Sequence, residues 1–286
     1  MSDAGWRRRR RVTPHAGGAL VEEARAVVEA WRAAPLEART GLPPWLEGTA
    51  DGPGIGRFLD QALLHPEAGR DAILALCDDA VRYGVRAVCV NGVWVPDCVS
   101  RLGRSGVVVV TVVGFPLGAG TSKAKATEAK LAVGAGAGEL TMVMAIGQAK
   151  SGEWRHVEDD IRRVVDAAGS APVTVILETA TLEPVEIAAG CLVARAAGAA
   201  VVKTSTGFHP AGGASEGAVA LARRAVGADL GVEAAGGIRT AEAALRMLAA
   251  GAERIGTSGV AAMVAMIGPS APSLKTLLGS DVSAAY

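Results

Sequence analysis

The sequence predicts an α/β fold, a closed (β/α)8 TIM barrel with an N-terminal helical extension, and three observations predict it. From Arg57 onward, short apolar β-branched runs alternate with helix-spaced segments at a period of roughly 25 to 30 residues, the pattern of parallel strands joined by crossover helices. Eight such runs can be counted, the number that closes a barrel. No dinucleotide-type glycine fingerprint follows the first of them, which weighs against the alternative, an open doubly wound sheet.

Composition fits one large domain. The chain has 286 residues, 50% apolar and only 3% aromatic, so the core is built from Ala, Val, Leu and Ile. Lys plus Arg and Asp plus Glu number 29 each, leaving no net field to draw nucleic acid. The expected partners are a small molecule and further copies of the chain as a dimer or tetramer, with no nucleic acid and no membrane. The N-terminus lacks the apolar core of a secretory signal, and apolar runs are broken by Gly or charge before they reach membrane-spanning length. A cytoplasmic location is the expectation. Cys77, Cys89, Cys98 and Cys191 sit in apolar segments without metal-type spacing, so they are expected as buried thiols, with no metal and no cofactor.

Residues 1–54 form the extension: the arginine run Arg7 to Arg11 reads as a solvated tail, Val21 to Ala34 has helical spacing, and Gly41 to Gly54 is rich in Gly and Pro. Trp31 and Trp45 are expected to pack the extension on the barrel, which occupies residues 55–270 and leaves 271–286 as a tail. Strands are predicted at Phe58–Leu59, Arg86–Val90, Val107–Val113, Glu139–Ala145, Val173–Glu178, Ala200–Thr204, Leu230–Ala234 and Arg254–Gly256. Between them, Val157, Ile161, Val164, Val165 and Ala168 make one apolar helix face. Pro184 suits a first helical turn and Gly198 the residue past a last one.

The sixth strand, within AAVVKTSTGFHP (Ala199 to Pro210), delivers Lys203 to a Ser/Thr/Gly loop. A lysine on a buried strand is either ion-paired or used as a nucleophilic amine, and both readings stand at this point. In a barrel of this class chemistry sits at the C-terminal strand ends, and phosphate is commonly held by the last two loops. Those loops are AAGGIRT (Ala234 to Thr240) and IGTSGV (Ile255 to Val260), in which Gly236, Gly237, Thr257 and Ser258 can bring backbone amides to an anion. Asp60 could orient a substrate hydroxyl or cap backbone amides. Glu178 could pair with Lys203 or a neighbouring strand, and His209 could serve as an acid or base.

Seven motifs in order resemble the deoxyribose-phosphate aldolases, class I aldolases that work through a lysine Schiff base. They are FLDQALLHP (Phe58 to Pro66), VCVNGVWVP (Val88 to Pro96), VVGFPLG (Val112 to Gly118), KAKATEAKLAVGAGAGEL (Lys123 to Leu140), VKTSTGF (Val202 to Phe208), GVEAAGGIRT (Gly231 to Thr240) and RIGTSGV (Arg254 to Val260). The resemblance implies Lys203 as the Schiff-base lysine. It also implies a phosphate site drawn from Thr206, Gly207, Gly236, Gly237, Thr257 and Ser258. The same resemblance exposes departures. Its acid/base pair, an aspartate ending strand four and a second lysine ending strand seven, is replaced by Thr141 and Glu233. The family's Asp-Met-Val-Ile-Asn reads Thr141-Met142-Val143-Met144-Ala145, its His-Thr after Asp60 reads Gln61-Ala62, and His65 stands where lysine is common.

A second lysine would disfavour protonation of the first and so free its amine; Glu233 carries the opposite sign. Three functions remain consistent with the sequence. One is an aldolase-type enzyme retuned to another carbonyl compound, expected to be phosphorylated and to belong to a specialised pathway, with Lys203, Glu233, Thr141 and Asp60 as its catalytic set. The others are an ordinary 2-deoxyribose 5-phosphate aldolase and a catalytically silent sugar-phosphate binder.

Overall fold

Successive side chains of a strand point to opposite faces, and in this chain the two faces have different jobs. The structure, a computed structural model, describes residues 17–33 and 55–266. Its eight strands are β1 (Leu59–Leu63), β2 (Ala87–Val90), β3 (Val108–Val113), β4 (Glu139–Val143), β5 (Val173–Ile176), β6 (Val201–Lys203), β7 (Gly231–Ala235) and β8 (Arg254–Thr257). They form a closed parallel barrel in sequence order. Closure is direct: Asp60 on β1 lies opposite Ala87 on β2 and opposite Gly256 on β8.

One face of each strand packs outward. Val88, Leu140, Val175, Val202, Val232 and Ile255 are buried in one large apolar layer beneath the helices. The inward face of β2 and β3 carries a separate small cluster, Ala87, Cys89, Val110 and Val112. All four cysteines are free and buried, as the sequence predicts.

The surrounding helices are α1 (Gly17–Ala33), α2 (Arg70–Tyr83), α3 (Val95–Leu102), α4 (Ser122–Gly134), α5 (Ile146–Lys150), α6 (Trp154–Ala168), α7 (Pro184–Ala197), α8 (Glu216–Val226), α9 (Ala241–Ala249) and α10 (Val260–Met266). The α6 stripe behaves as predicted, with Val157, Ile161, Val164 and Ala168 buried and Val165 half-buried. Pro184 opens α7 inside a Glu183/Glu186 capping box, and Gly198 closes it in the left-handed region at φ 88°. Helix α1 lays Leu20, Ala24 and Val28 against α7 and α8. Trp31 packs on the core, and Arg195 of α7 reaches Glu23 at 3.1 Å. Arg7 to Arg11, Trp45, the Gly/Pro-rich stretch and the 271–286 tail lie outside the described residues.

The first strand departs most from expectation. The apolar run predicted Phe58–Leu59, whereas Gly56–Phe58 is a 3-10 turn and the strand continues through Leu63. Asp60 and Gln61 interrupt the apolar run without interrupting the strand, because Asp60 faces a counter-charge inside the barrel. Arg86 grips both of its oxygens, Nε to Oδ1 at 2.6 Å and NH2 to Oδ2 at 2.5 Å. Arg86 also donates to Glu139 Oε1 at 2.8 Å, and Arg254 donates to Glu139 Oε2 at 2.9 Å. Two arginines and two carboxylates thus neutralise one another around the lower interior, where an unpaired charge would be costly. Burial alone pulls the guanidinium of Arg86 down, but the carboxylates of Asp60 and Glu139 outweigh it and lift the group further above its already high range.

Candidate active site

Lys203 at the end of β6 and Glu233 in the middle of β7 come into contact, and Glu233 and Thr141 both lie mid-strand where strand-end positions are expected. Lys203 is the last residue of β6, and its register partner on β7 is Glu233. Nζ lies 2.6 Å from Glu233 Oε1, and both side chains are buried. Nζ meets Oε1 away from the ideal hydrogen-bond direction, so charge carries most of the contact. At an effective dielectric of ~20, two unit charges at 2.6 Å attract by about 6 kcal/mol, from which desolvation of both groups subtracts. The net direction is clear. Burial pulls the Lys203 ammonium down, but the carboxylate of Glu233, with that of Asp60 behind it, outweighs that pull and holds it above the ordinary lysine value. The pair's stabilisation is therefore fully present below the ordinary lysine range and is lost as pH rises through the raised value.

Gly256 makes room for this contact. A Cβ at that position would stand 2.8 Å from Glu233 Oε1, 3.0 Å from Lys203 Nζ and 2.9 Å from Ala235 Cβ. The two charged tips could swing away, but Ala235 Cβ is fixed to its strand. Gly256→Ala is expected to cost about 1–3 kcal/mol by overpacking. A fall in thermal midpoint of a few degrees, read by circular dichroism, checks it; an unchanged midpoint would show that the barrel relaxes freely there.

Thr141 lies on β4, opposite Val112 on β3 and Thr174 on β5, and is buried on the inward face with Glu139. Asp60 lies on the second residue of β1 and not at a strand end. Its carboxylate holds Arg86 in place of a substrate hydroxyl or a backbone cap, and its charge reaches Lys203. Gln61 points outward with Leu59 and Leu63, away from the site.

Glu178 takes neither partner expected of it. It is the only non-glycine residue with positive φ among the described residues, at 59°, and is buried at the end of the β5 segment. Its carboxylate accepts from the Thr206 hydroxyl at 2.5 Å and from the Thr206 amide at 3.3 Å. Thr206 Oγ1 in turn accepts from the Phe208 amide at 3.1 Å. Glu178 therefore fixes the loop that leaves Lys203, and this role was not visible in the sequence.

The loops after β6, β7 and β8 are tied together by short contacts. A Cβ on Gly213 would come within 2.2 Å of Gly236 O, and the Ala214 amide donates to that oxygen at 3.0 Å. Gly236 and Gly237 both adopt positive φ, at 95° and 80°, which glycine alone takes readily. Gly207 also has positive φ, 81°. Thr257 donates to Ile238 O at 2.7 Å and accepts from the Gly259 amide at 2.9 Å, so its hydroxyl is committed to holding the loop. Ser258 is exposed beside it. His209 is exposed on the β6 loop, and its Nδ1 accepts from the Ala211 amide at 3.1 Å.

Cys89 projects into the barrel beside this site, and burial raises its thiol to about 12 although Lys203 opposes the shift. Lys125 is a second buried lysine, spent on the scaffold: Nζ contacts Asp160 Oδ2 at 2.6 Å and donates to Val143 O at 3.0 Å. Among the described residues no cluster of three or more His, Cys, Asp or Glu side chains could hold a metal ion, and no helix is long and apolar enough to cross a membrane.

Comparison with known proteins places this geometry in a lineage. The chain is 48% identical over 210 residues to a deoxyribose-phosphate aldolase of Streptococcus sanguinis, covering 73% of this chain and 95% of that protein. It is 49% identical over 205 residues to deoxyribose-phosphate aldolase 1 of Bacillus licheniformis, covering 71% and 92%. A crystal structure described as a putative deoxyribose-phosphate aldolase from Coccidioides immitis superposes with a TM-score of 0.75 at 36% identity, over 86% of this chain and 96% of that one. The tetrameric deoxyribose phosphate aldolase of Aeropyrum pernix gives 0.71 at 27% identity, over 88% and 97%. The model of the DeoC/LacD family aldolases matches residues 59–266, the whole barrel from β1 through α10, and the chain is accordingly a member of that family of lyases.

Proposed function

We propose that the chain is a class I aldolase whose Lys203 forms the Schiff base, and that Glu233 and Thr141 retune it toward a carbonyl substrate other than 2-deoxyribose 5-phosphate. The 2.6 Å Lys203–Glu233 pair supports this most strongly, because it puts a carboxylate against the nucleophile. When substrate enters, a proton passes from the Lys203 ammonium to a base, and the freed amine attacks the carbonyl carbon. The carbinolamine then loses water to give an iminium. In the cleavage direction a base removes the substrate's β-hydroxyl proton, the carbon–carbon bond breaks, and its electrons flow into the iminium to leave an enamine. Protonation and hydrolysis of the enamine return the amine. Glu233 is placed to accept the first proton and to stabilise the iminium by charge, and Thr141 offers only a hydroxyl on the same inner face.

The phosphate cradle belongs to the same proposal. Backbone amides of the β7 and β8 loops, opened by Gly236 and Gly237, and the exposed Ser258 can meet a phosphate, with Thr206 and Gly207 from the β6 loop at its edge. Ser258→Asp places a carboxylate where that anion would lie. It is expected to abolish calorimetric binding of sugar phosphates while leaving the melting temperature near the parent's; undiminished binding would move the phosphate elsewhere.

A second reading, the ordinary 2-deoxyribose 5-phosphate aldolase, is favoured by relatives of that name at 48% and 49% identity. Acetaldehyde release from 2-deoxyribose 5-phosphate separates the two. A retuned enzyme is slow with that substrate yet forms a Schiff base with other carbonyls, whereas robust release supports the ordinary reading. Failure to form any Schiff base would leave a silent sugar-phosphate binder with a permanently closed ion pair.

A further inference from the structure

One side of the barrel mouth is built for apolar contact. On β1 to β3 the inward side chains are Asp60, Ala62, Ala87, Cys89, Val108, Val110 and Val112, and Asp60 is engaged by Arg86. Asn91, at the end of β2, turns its Nδ2 to Leu64 O at 3.1 Å. Apart from Asp60 and Asn91, the inward side chains of these three strands are hydrocarbon plus a thiol that burial keeps protonated, and the neighbouring inward hydroxyl is that of Thr141, opposite Val112 on β4.

Aromatic rings from three loops stand above this wall. Phe115, which follows β3, packs on the Cys89–Val110–Val112 cluster. Phe208 lies in the loop leaving Lys203, and its ring meets Phe115 edge-on, with centroids 5.1 Å apart and an interplanar angle of 84°. It also meets the ring of His65, from the β1 loop, at 5.6 Å. Strands β3 and β6 are not neighbours, so Phe208 reaches across the mouth, and it remains 42% exposed. A large ring that extends over an apolar wall and stays open to solvent is suited to close on an apolar ligand.

We propose that Ala62, Cys89, Val110, Val112, Phe115 and Phe208 form a subsite for an alkyl or aryl substituent on the carbonyl compound that reacts at Lys203. This rests on the Schiff-base reading for the chemistry but not for the binding surface. A hydroxylated chain laid on the Ala62, Cys89, Val110 and Val112 side chains would leave most of its hydroxyls without partners there, which such a site rejects more strongly than it rejects a missing methylene.

The test uses the full chain and three probes, 3-phenylpropanal, acetaldehyde and glyceraldehyde, trapped with cyanoborohydride and quantified at Lys203 by peptide mapping. The expected result is half-saturation by 3-phenylpropanal at a concentration about tenfold or more below glyceraldehyde, with Phe208→Ala collapsing that preference. Equal half-saturation for all three, or a preference unmoved by Phe208→Ala and by Phe115→Ala, overturns the subsite. If none labels Lys203, the Schiff-base reading has failed, and the subsite is then decided by calorimetry with the unreactive 3-phenylpropan-1-ol. Binding weakened about tenfold by Phe208→Ala supports it; no binding to the parent overturns it.

Discussion

Replacing Lys203 with methionine is expected to lower aldol turnover of any accepted substrate by a factor on the order of 10,000 or more, because in the proposed mechanism the imine forms on Lys203. The single change strands Glu233 as a buried carboxylate, and breaking a buried pair in this way is destabilising by about 3–5 kcal/mol. The cleaner comparison is the double change Lys203→Met with Glu233→Gln, which removes both charges together. That variant should melt close to the parent and remain inactive. An active double variant, monitored by release of aldehyde from the best substrate found, would exclude Lys203 as the nucleophile.

Turnover of 2-deoxyribose 5-phosphate should rise by about a hundredfold or more in the double change Thr141→Asp with Glu233→Lys. In the parent, the carboxylate 2.6 Å from Nζ holds the Lys203 ammonium above its ordinary range, and at an ordinary lysine value only about one molecule in 2,500 carries the neutral amine at pH 7. Glu233→Lys reverses the sign of that neighbour and so frees the amine. Thr141→Asp supplies a group on the inner face that can hold and pass the substrate proton. Glu233→Lys alone should gain less, since nothing at position 141 then carries the proton, and the two changes should be more than additive. It also sets a second cation beside Arg254, its register neighbour on β8, and the aspartate at 141 offsets part of that charge. Initial rates for the parent, both single variants and the double variant across neutral pH, with a melting curve for each, decide the matter. A parent as fast as the double variant would favour the ordinary aldolase, and a folded double variant that stays inert would place the retuning in other residues, Ala62 and Ala145 first.

Much of this arrangement was legible in the sequence because barrel strands bury one continuous face under helices. The Val/Ile/Leu runs therefore located seven of the eight strands to within one or two residues. The run containing Lys203 and the run containing Glu233 were both placed correctly, so adjacent strands in a closed barrel had to bring the two residues side by side. What periodicity missed lies where polar groups occupy the inner face. Asp60 shortened the predicted first strand because an aspartate reads as an interruption until Arg86 is known to stand opposite it. Arg86, Glu139 and Arg254 each open a predicted strand, and charges at equivalent strand starts were the available signal for a common interior network. Glu178 gave no such signal, since its left-handed backbone and its grip on Thr206 depend on where the β6 loop returns. Gly256 likewise looked like one more small residue in a glycine-rich chain until the Lys203–Glu233 contact showed what a methyl group would strike.

The most direct measurement is borohydride reduction of the protein with a small aldehyde, followed by peptide mapping. One equivalent of label is expected on Lys203. Labelling should rise steadily as pH increases, because the Glu233 carboxylate holds that amine protonated through neutrality. Lys125, closed off by Asp160, should remain unlabelled, and the exposed Lys123 and Lys130 of α4 should show only the slow, non-saturating reaction of surface amines. Saturable label on another lysine with Lys203 unmodified would contradict the assignment of the nucleophile.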